Sequence, residues 1–240
     1  ARRCQRLIGV CDAMTRQYVN AGIAPPEMFT TIYSGMDVEP FLDPPRSRGE
    51  VRAELGFEED NIVIGKVARL FNLKGHRYLL EAASQIIKNC PRARFLLVGD
   101  GPLREQFEAQ ISRDGLADHF VLTGLVPPGQ IPELIHATDL VVHASVWEGL
   151  ARVLPQSMIA GKPVVSFEID GAPEVVLHEE TGLLVQPESV EGLIESVTRL
   201  ASDQELRDRM GNAGCRRWTE TFRYQEMARL VREVYQDVLD

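Results

Sequence analysis

The stretch Ile62-Val-Ile-Gly-Lys-Val-Ala-Arg69-Leu-Phe-Asn-Leu-Lys74-Gly-His76 begins as a nearly continuous apolar run and ends in a short polar loop. An apolar run of this length predicts a strand that helices cover on both faces. Residues 77–88, which follow, carry apolar side chains at helical spacing. The stretch therefore predicts a strand, a loop and a helix, the repeating unit of a parallel sheet.

The same alternation continues on both sides of this unit. Predicted strands cover residues 7–11, 29–33, 62–68, 94–98, 120–123, 140–143, 163–167 and 183–185. Predicted helices cover residues 77–88, 103–113, 131–137, 153–160, 190–201, 204–221 and 224–239, the last three with no strand between them. The pattern predicts an α/β fold with a doubly wound, mostly parallel, Rossmann-like sheet and a helical C-terminal region. Residues 35–49, rich in Pro, Gly and Asp, are interpreted as a joint.

The composition is typical of a globular protein: 44% of the 240 residues are hydrophobic and 25% are charged. A net charge of −9 argues against a protein that coats nucleic acid, because neutralising phosphates needs a dense basic face. The four cysteines have no paired spacing, which favours free thiols in a reducing compartment. Apolar runs are much shorter than the roughly 20 residues of a membrane span, and we expect no signal peptide and a cytoplasmic location.

Two cations follow the strand of the opening stretch. Arg69 ends the strand, and Lys74 precedes the next helix. Ligands of open α/β sheets bind at the carboxyl ends of strands, where a helix N-terminus also offers free N–H groups. Arg69 and Lys74 are therefore candidates for a diphosphate site. The alternative is a pair of solvated surface charges, and spacing alone does not decide between the two.

A carboxylate follows a later strand. Glu148 and Gly149 come after the strand at 140–143, and the N–H groups of Leu150, Ala151 and Arg152 precede the next helix. A carboxylate beside free amides can accept hydroxyl protons of a polyol while the amides hold a phosphate. The alternative is that Glu148 only caps the helix.

The remaining candidates are weaker. The turn Gly99-Asp-Gly-Pro102 lacks a small residue at Glu105 and is interpreted as structural rather than as a dinucleotide fingerprint. His119 and His143 lie at strand edges and are interpreted as packed or solvated side chains. His76 is close enough to Lys74 to remain a candidate for the phosphate site.

The order of these motifs resembles one family. Arg69…Lys74-Gly75, Gly99-Asp-Gly-Pro, Phe120…Gly124, Glu148-Gly149 and Gly182-Leu-Leu-Val185 are similar, in that order, to the donor half of retaining GT-B glycosyltransferases. The likeness is strongest to family four (glycosyl transferases group 1), which uses nucleotide-diphosphate sugars. It extends over nearly the whole chain, because residues 7–11 and 29–37 also look like that family.

The resemblance assigns roles to ten residues. Arg69 and Lys74 would hold the donor diphosphate and stabilise the leaving group, and Glu148 would accept hydroxyls of the donor sugar; these three are the catalytic candidates. The other donor-binding candidates are Gly149, Leu150, Ala151 and Arg152 for sugar and phosphate, Leu125 and Val126 for the nucleobase, and Gln156 for the ribose. The family usually has Glu in place of Gln156, so ribose binding is expected to be altered.

The resemblance also implies a reaction. A hexose-type sugar would move from its nucleotide diphosphate to an unknown glycan, lipid or small-molecule acceptor with retention of configuration. No metal and no cofactor are expected, because the two cations can stabilise the leaving diphosphate. No nucleic-acid partner is expected. A bacterial source is also expected from the likeness.

In this layout residues 1–40 would be the tail of a missing N-terminal acceptor domain with its linker. Residues 41–222 would form the donor domain, and residues 223–240 a helix that crosses back to the acceptor domain. The missing domain leaves membrane-surface association open, and this chain alone is expected to be inactive. Two alternatives stay open: a nucleotide-sugar-binding module without catalysis, and a sugar-nucleotide epimerase of GT-B fold.

Overall fold

The β-branched and aliphatic runs of the sequence form strands. The protein is described here as a computed structural model covering residues 4–239. Its strands are β1 (Leu7–Gly9), β2 (Phe29–Thr31), β3 (Ile62–Val67), β4 (Ala93–Val98), β5 (Phe120–Gly124), β6 (Leu140–His143), β7 (Val164–Phe167) and β8 (Gly182–Val185). The last six form one sheet, and β1 pairs with β2 apart from it.

The order of strands in the main sheet is β5-β4-β3-β6-β7-β8, and every pair in it is parallel. The chain runs outward from β3 to β5 and then returns to place β6 on the other side of β3. The order therefore reverses between β3 and β6. Ligands of such sheets bind at the carboxyl end of this reversal, where loops diverge and leave a crevice.

Amphipathic segments form the helices between the strands. The helices are α1 (Asp12–Asn20), α2 (Glu39–Leu42), α3 (Arg48–Glu54), α4 (His76–Asn89), α5 (Arg104–Arg113), α6 (Ile131–Ala137), α7 (Val153–Ile159), α8 (Ala172–Val175), α9 (Val190–Ser202), α10 (Gln204–Trp218) and α11 (Tyr224–Leu239). They cover both faces of the sheet. The α4 and α9 side contributes one hydrophobic cluster, and the α3, α6 and α7 side contributes two others.

The predicted fold class is confirmed: the sheet is doubly wound, wholly parallel and Rossmann-like. The predicted joint at 35–49 is only partly irregular, because α2 and the start of α3 lie in it. A capping box begins α3, with the Ser47 side chain accepting from the Glu50 amide and the Glu50 carboxylate accepting from the Ser47 amide. The short helix α8 was also not predicted.

The two ends of the described chain meet each other and the sheet. Glu174 in α8 accepts hydrogen bonds from the first two amides of α1, those of Asp12 (2.8 Å) and Ala13 (2.6 Å). The amide and carbonyl of Met36, beyond β2, bond to Phe222 and Tyr224 at the start of α11. Neither β1 nor α11 is well covered, since Ile8 is 45% exposed and α11 has no buried residue.

The amino end of the sheet is held by charged side chains that we call the amino-end cluster: Arg48, Arg52, Asp139 and Arg207. Asp139 accepts from the Val63 amide (2.7 Å), from Arg48 (2.7 Å) and from Arg52 (3.5 Å). The three arginines also donate to main-chain carbonyls, among them those that end α6 and α9. These residues line a cavity of about 1010 Å³.

Candidate functional site

The loops after β3 and β6 lie against each other at the carboxyl end of the sheet, where the strand order reverses. The Val146 amide donates to the Leu73 carbonyl at 2.9 Å. Gly75 has a φ of 64°, and a Cβ on it would lie 1.7 Å from the Ala144 carbonyl oxygen. No other residue fits this contact without moving the backbone. The glycine therefore brings Lys74 to the residues that follow β6.

Lys74 and Glu148 form an ion pair across these two loops. Lys74 Nζ donates to Glu148 Oε1 at 2.5 Å, and His143 Nε2 lies 3.6 Å from the same oxygen. Burial alone would raise the pKa of Glu148, but the interactions with His143 and Lys74 outweigh it and lower the pKa to about 2. Glu148 is therefore an ionised acceptor at neutral pH.

Arg69, five residues before Lys74 on the same loop, has an exposed side chain. Its loop is fixed by the turn after β4, because the Leu70 amide donates to the Asp100 carbonyl (2.9 Å) and the Leu103 amide to the Leu70 carbonyl (3.2 Å). Within residues 4–239 nothing accepts a hydrogen bond from Arg69; its guanidinium carbon lies 5.7 Å from the centre of the Phe71 ring. A fixed loop thus presents a cation with free donors.

The turn Gly99–Pro102 has a steric role in this arrangement. A Cβ on Gly99 would lie 2.3 Å from the Ala68 carbonyl oxygen, and one on Gly101 would lie 2.4 Å from that of Leu70. Gly99 also has a φ of 135°. The two glycines let the turn approach the Arg69 loop.

An apolar cavity of about 490 Å³ opens next to Arg69. Leu125 and Val126 line it, as does Val67 at the end of β3. Leu125 is 84% exposed and so is accessible to a ligand in the cavity. The cavity therefore brings the predicted nucleobase residues beside the predicted diphosphate residue.

Two residues that follow β7 hold the loop that carries Glu148. The Glu148 amide donates to Asp170 Oδ2 (2.8 Å), and the Gly171 amide donates to the Gly149 carbonyl (3.0 Å). Asp170 has a φ of 46°, a left-handed conformation that Asp tolerates better than most residues. Asp170 was not predicted, since no pattern in the sequence marks it.

The amides of Leu150 and Ala151 precede α7 rather than belong to it. The helix begins at Val153, with Arg152 as its N-cap. Neither amide has an acceptor among the described residues, so both remain free to bind a ligand. Gln156 lies in the first turns of α7, half-buried, and its side-chain amide has no partner within the described range.

His76 is not part of a phosphate cradle, and the prediction that kept it as a candidate is wrong. Its side chain is 1% exposed and stacks on Phe107, with ring centroids 5.5 Å apart. Burial, aided by the charges of Lys66 and Lys74, lowers its pKa to about 2. A histidine that stays neutral inside the core offers no charge to a phosphate.

Lys66 is a residue of this region that the sequence reasoning missed. It lies in β3 on the same face as Ile62 and Ile64, 1% exposed, beneath the Lys74–Glu148 pair. Burial lowers its pKa to about 7, with Glu148 acting in the opposite sense and Lys74 in the same one. A charged residue inside an apolar strand was the signal that could have identified it.

Two further histidines, His119 and His143, are packed against their neighbours. His119 Nδ1 lies 2.9 Å from the Ala93 carbonyl. His143 is buried with Nδ1 3.2 Å from Ser166 Oγ, and burial lowers its pKa.

Within residues 4–239 no group of three or more His, Cys, Asp or Glu side chains is placed to hold a metal ion. No helix in that range is long and apolar enough to cross a membrane.

Comparison with known proteins identifies relatives of this chain. A family model described as "Glycosyl transferases group 1" matches residues 47–217. Alpha-D-kanosaminyltransferase of Streptomyces kanamyceticus is 33% identical over 163 residues, which are 68% of this chain and 42% of that protein. A GDP-mannose-dependent phosphatidylinositol monomannoside mannosyltransferase of Mycobacterium tuberculosis is 30% identical over 225 residues, 90% of this chain and 58% of that protein. The chain spans about half the length of these relatives.

Solved structures give the same result for the fold. Anabaena HepE in complex with UDP superposes with a TM-score of 0.90 at 28% identity, over 98% of this chain and 65% of that one. HepE has also been solved with UDP-glucose, and that structure superposes with a TM-score of 0.89. The superposition covers the six-stranded sheet and the loops at its carboxyl end, because nearly the whole chain is included.

Proposed function

Since the chain belongs to the glycosyl transferases group 1 family, we propose that it is the donor-binding part of a retaining glycosyltransferase. It binds a nucleotide-diphosphate sugar at the carboxyl end of the sheet, between β3 and β6. One observation carries this proposal: at the reversal of strand order Lys74 forms an ion pair with Glu148, 74 residues later in the chain, and Arg69, which follows the same strand as Lys74, lines an apolar cavity.

The diphosphate binds Arg69 and Lys74. Arg69 has free donors in a fork that matches phosphate oxygens, and Lys74 supplies a point charge. The free amides of Leu150 and Ala151 supply two further donors, and the neighbouring Gly149 and Arg152 flank them. Lys74 turns from Glu148 to the diphosphate when the donor binds.

The sugar binds Glu148. An ionised carboxylate accepts from two hydroxyls at once, and before the donor binds the interactions with His143 and Lys74 hold the pKa of Glu148 at about 2, so that it meets the donor in the ionised form. The Asp170 contact to its amide fixes where the loop places the carboxylate. Relatives that use GDP-mannose and a neighbour solved with UDP-glucose support a hexose donor.

The nucleoside occupies the apolar cavity. Leu125 and Val126 contact the base, and Gln156 bonds the ribose through one acceptor and one donor group. HepE was solved with UDP, whereas the mycobacterial enzyme depends on GDP-mannose. A titration of UDP, GDP and ADP against this chain therefore identifies the base.

The proposed reaction breaks the bond between the anomeric carbon and the diphosphate oxygen. The electron pair leaves with the diphosphate, whose growing charge Arg69 and Lys74 stabilise, and the sugar passes through an oxocarbenium-like state. An acceptor hydroxyl attacks on the same face and loses its proton to the leaving diphosphate. The two cations do the electrostatic work that a metal ion does in other enzymes, so we propose a reaction without a metal.

The acceptor, a glycan, a lipid or a small molecule, binds a part of the protein beyond this chain. We assign residues 1–40 and 223–240 to the contact with that part, and residues 41–222 to the donor domain. Exposed apolar side chains on α11, among them Tyr235 (65%) and Leu239 (83%), support this assignment. By itself the chain is expected to bind donor and transfer nothing measurable.

The test is a calorimetric titration of UDP, GDP and ADP against the wild type, Arg69→Ala and Lys74→Ala. Each charge-assisted bond is worth roughly 1.5–3 kcal/mol, so each variant should bind the preferred nucleotide about tenfold to a hundredfold more weakly. Arg113→Ala and Lys88→Ala, exposed in α5 and α4, are the matched controls and should bind as the wild type does. Equal affinity in all five proteins contradicts the proposal.

A further inference from the structure

Buried polar atoms without hydrogen-bond partners are concentrated beneath the Lys74–Glu148 pair. Seven such side-chain nitrogen and oxygen atoms occur in the described part of the chain. Five belong to Lys66, His76, His143 and Ser145. A buried polar group without a partner destabilises a fold, so a cluster of them points to a role other than stability.

These four residues lie around the carboxyl ends of β3 and β6, and we call them the sub-site cluster. Lys66 lies on the sheet face of Ile64 and His143 on the opposite face, because Ile64 pairs with Leu140 and side chains alternate along a strand. Gly75, next to His76, contacts Ala144, which lies between His143 and Ser145. Burial lowers the pKa of His76 and of His143, and the charge of Lys66 acts in the same direction on both. Glu148 lies above, with His143 Nε2 3.6 Å from its carboxylate.

Lys74 has two competing acceptors. In this structure it donates to Glu148, and in the proposed function it donates to the donor diphosphate. When Lys74 turns away, Glu148 loses its nearest cation in a half-buried position. A carboxylate there needs another counter-charge to stay ionised and in place.

Neither histidine of the sub-site cluster supplies that charge, because burial lowers the pKa of both His76 and His143. Ser145 is uncharged. The charged groups that act on the Lys66 ammonium are Glu148 and Lys74. Lys66 is thus the only cation of the cluster.

We propose that Lys66 is a positioning residue: it becomes the counter-charge of Glu148 when Lys74 moves to the donor diphosphate. The inference rests on the proposed function, since it requires a donor that engages Lys74. Lys66 does not touch the donor, because it is buried beneath Glu148. Its effect reaches the sugar only through the carboxylate.

The proposal implies proton uptake on binding. The pKa of Lys66 is lowered to about 7 in the free protein, so part of the amine population is unprotonated at pH 7. The diphosphate adds negative charge nearby and takes Lys74 away, and both changes favour the ammonium form. Binding of a nucleotide sugar at pH 7 should therefore take up a fraction of a proton through Lys66.

The experiment compares wild type with Lys66→Met, which keeps the length of the side chain and removes the amine. Affinities for UDP and GDP and for UDP-glucose and GDP-mannose are measured calorimetrically, in buffers of different ionisation enthalpy. We expect nucleoside diphosphate affinity within about threefold of wild type. The ratio of the dissociation constant of the nucleotide sugar to that of the diphosphate should rise three- to tenfold. The number of protons taken up on binding should fall by the amount that Lys66 takes up in the wild type.

The matched control is Lys162→Met, a half-buried lysine at the amino end of the sheet, whose pKa burial lowers to about 8. It should change neither the ratio nor the proton uptake. An unchanged ratio or unchanged uptake in Lys66→Met overturns the inference. If the wild type binds no nucleotide at all, the proposed function fails instead, so the two failures are distinguishable.

A purely structural role of Lys66 makes a different prediction. Loss of a structural residue would lower the thermal midpoint and weaken diphosphate and nucleotide sugar alike. The counter-charge role predicts a midpoint at or above that of wild type, because Met removes a buried amine that lacks a partner. If Lys66→Met should not fold, Lys66→Gln, which keeps a polar end without charge, serves for the same measurements.

Discussion

The two ends of the sheet are both rich in charge, and they differ in how the charges are used. In the amino-end cluster every arginine donates to main-chain carbonyls, and Asp139 binds two of them. At the carboxyl end Arg69 has no acceptor within residues 4–239, and the sub-site cluster has five unpartnered atoms. Within the amino-end cluster the Nε of Arg52 is the one buried side-chain atom without a partner among the described residues, so its charges mainly stabilise the fold, whereas the free donors of Arg69 are available to a ligand.

Cavity size alone would lead to the opposite assignment. The amino-end cavity of about 1010 Å³ is twice as large as the carboxyl-end cavity of about 490 Å³. However, arginines that line it already donate hydrogen bonds to main-chain carbonyls at the ends of α6 and α9. The smaller cavity lies beside free donors at the reversal of strand order, where the topology favours a ligand.

The largest expected effect is on the amino end. Asp139→Ala leaves Arg48 and Arg52 without their carboxylate and the Val63 amide without its acceptor. Removing one partner of such a buried network costs about 3 kcal/mol of unfolding free energy. Urea denaturation measures this loss, and Asp114→Ala, an exposed site, is the control. Nucleotide affinity of the folded variant should not change; a tenfold loss would contradict the division between the two ends.

The carboxyl end should respond in the converse way. Arg69→Ala removes an exposed side chain with no acceptor, so the free energy of unfolding should change by less than about 0.5 kcal/mol while nucleotide affinity falls. The same urea denaturation series measures it. A loss of stability comparable to that of Asp139→Ala would show that Arg69 belongs to the scaffold.

An intermediate effect is expected from pH. The pKa of His76 falls to about 2 on folding, so the unfolded chain binds the extra proton once the pH drops below about 6.5. Stability from this group is complete above that pH and is lost as the pH falls, by about 2 kcal/mol at pH 5. His76→Phe keeps an aromatic ring stacked on Phe107 but has no group to protonate. Its free energy of unfolding, measured by denaturation at pH 7 and at pH 5, should therefore fall by about 2 kcal/mol less than that of the wild type. An identical pH dependence in both proteins would contradict the buried, neutral state of His76.

The smallest expected effect is at Gln156. Gln156→Glu offers the ribose two charged acceptors in place of one neutral acceptor and one donor, and should strengthen nucleoside diphosphate binding about two- to fivefold. A dideoxynucleoside diphosphate, which lacks both hydroxyls, is the control ligand and should gain nothing. An equal gain in affinity for both ligands would show that the new carboxylate does not act on the ribose hydroxyls.

Much of the fold was predictable because buried parallel strands appear in the sequence as runs of apolar residues. The clearest case is β3. The helices α2 and α3 were missed because Pro and Gly dominate their surroundings, although the Ser47–Glu50 capping box was readable. Arg69, Lys74 and Glu148 were identified as candidates from their positions after strands, which the sheet brings together.

Contacts between distant segments could not be predicted. The Lys74–Glu148 pair joins residues 74 positions apart, and its existence depends on Gly75 fitting against Ala144. His76 was misjudged for a related reason: it is next to Lys74 in sequence, yet the first turn of α4 aims its ring into the core. Sequence neighbours after a loop can face opposite sides of the same site.

The central claim is that the carboxyl end of the sheet, and not the amino end, binds the donor. A crystal structure of this chain with the nucleoside diphosphate that binds most tightly tests it directly. We predict diphosphate oxygens within hydrogen-bond distance of Arg69 and Lys74, the base against Leu125 and Val126, and Lys74 turned away from Glu148. A nucleotide bound in the amino-end cavity among Arg48, Arg52 and Arg207 would contradict the account.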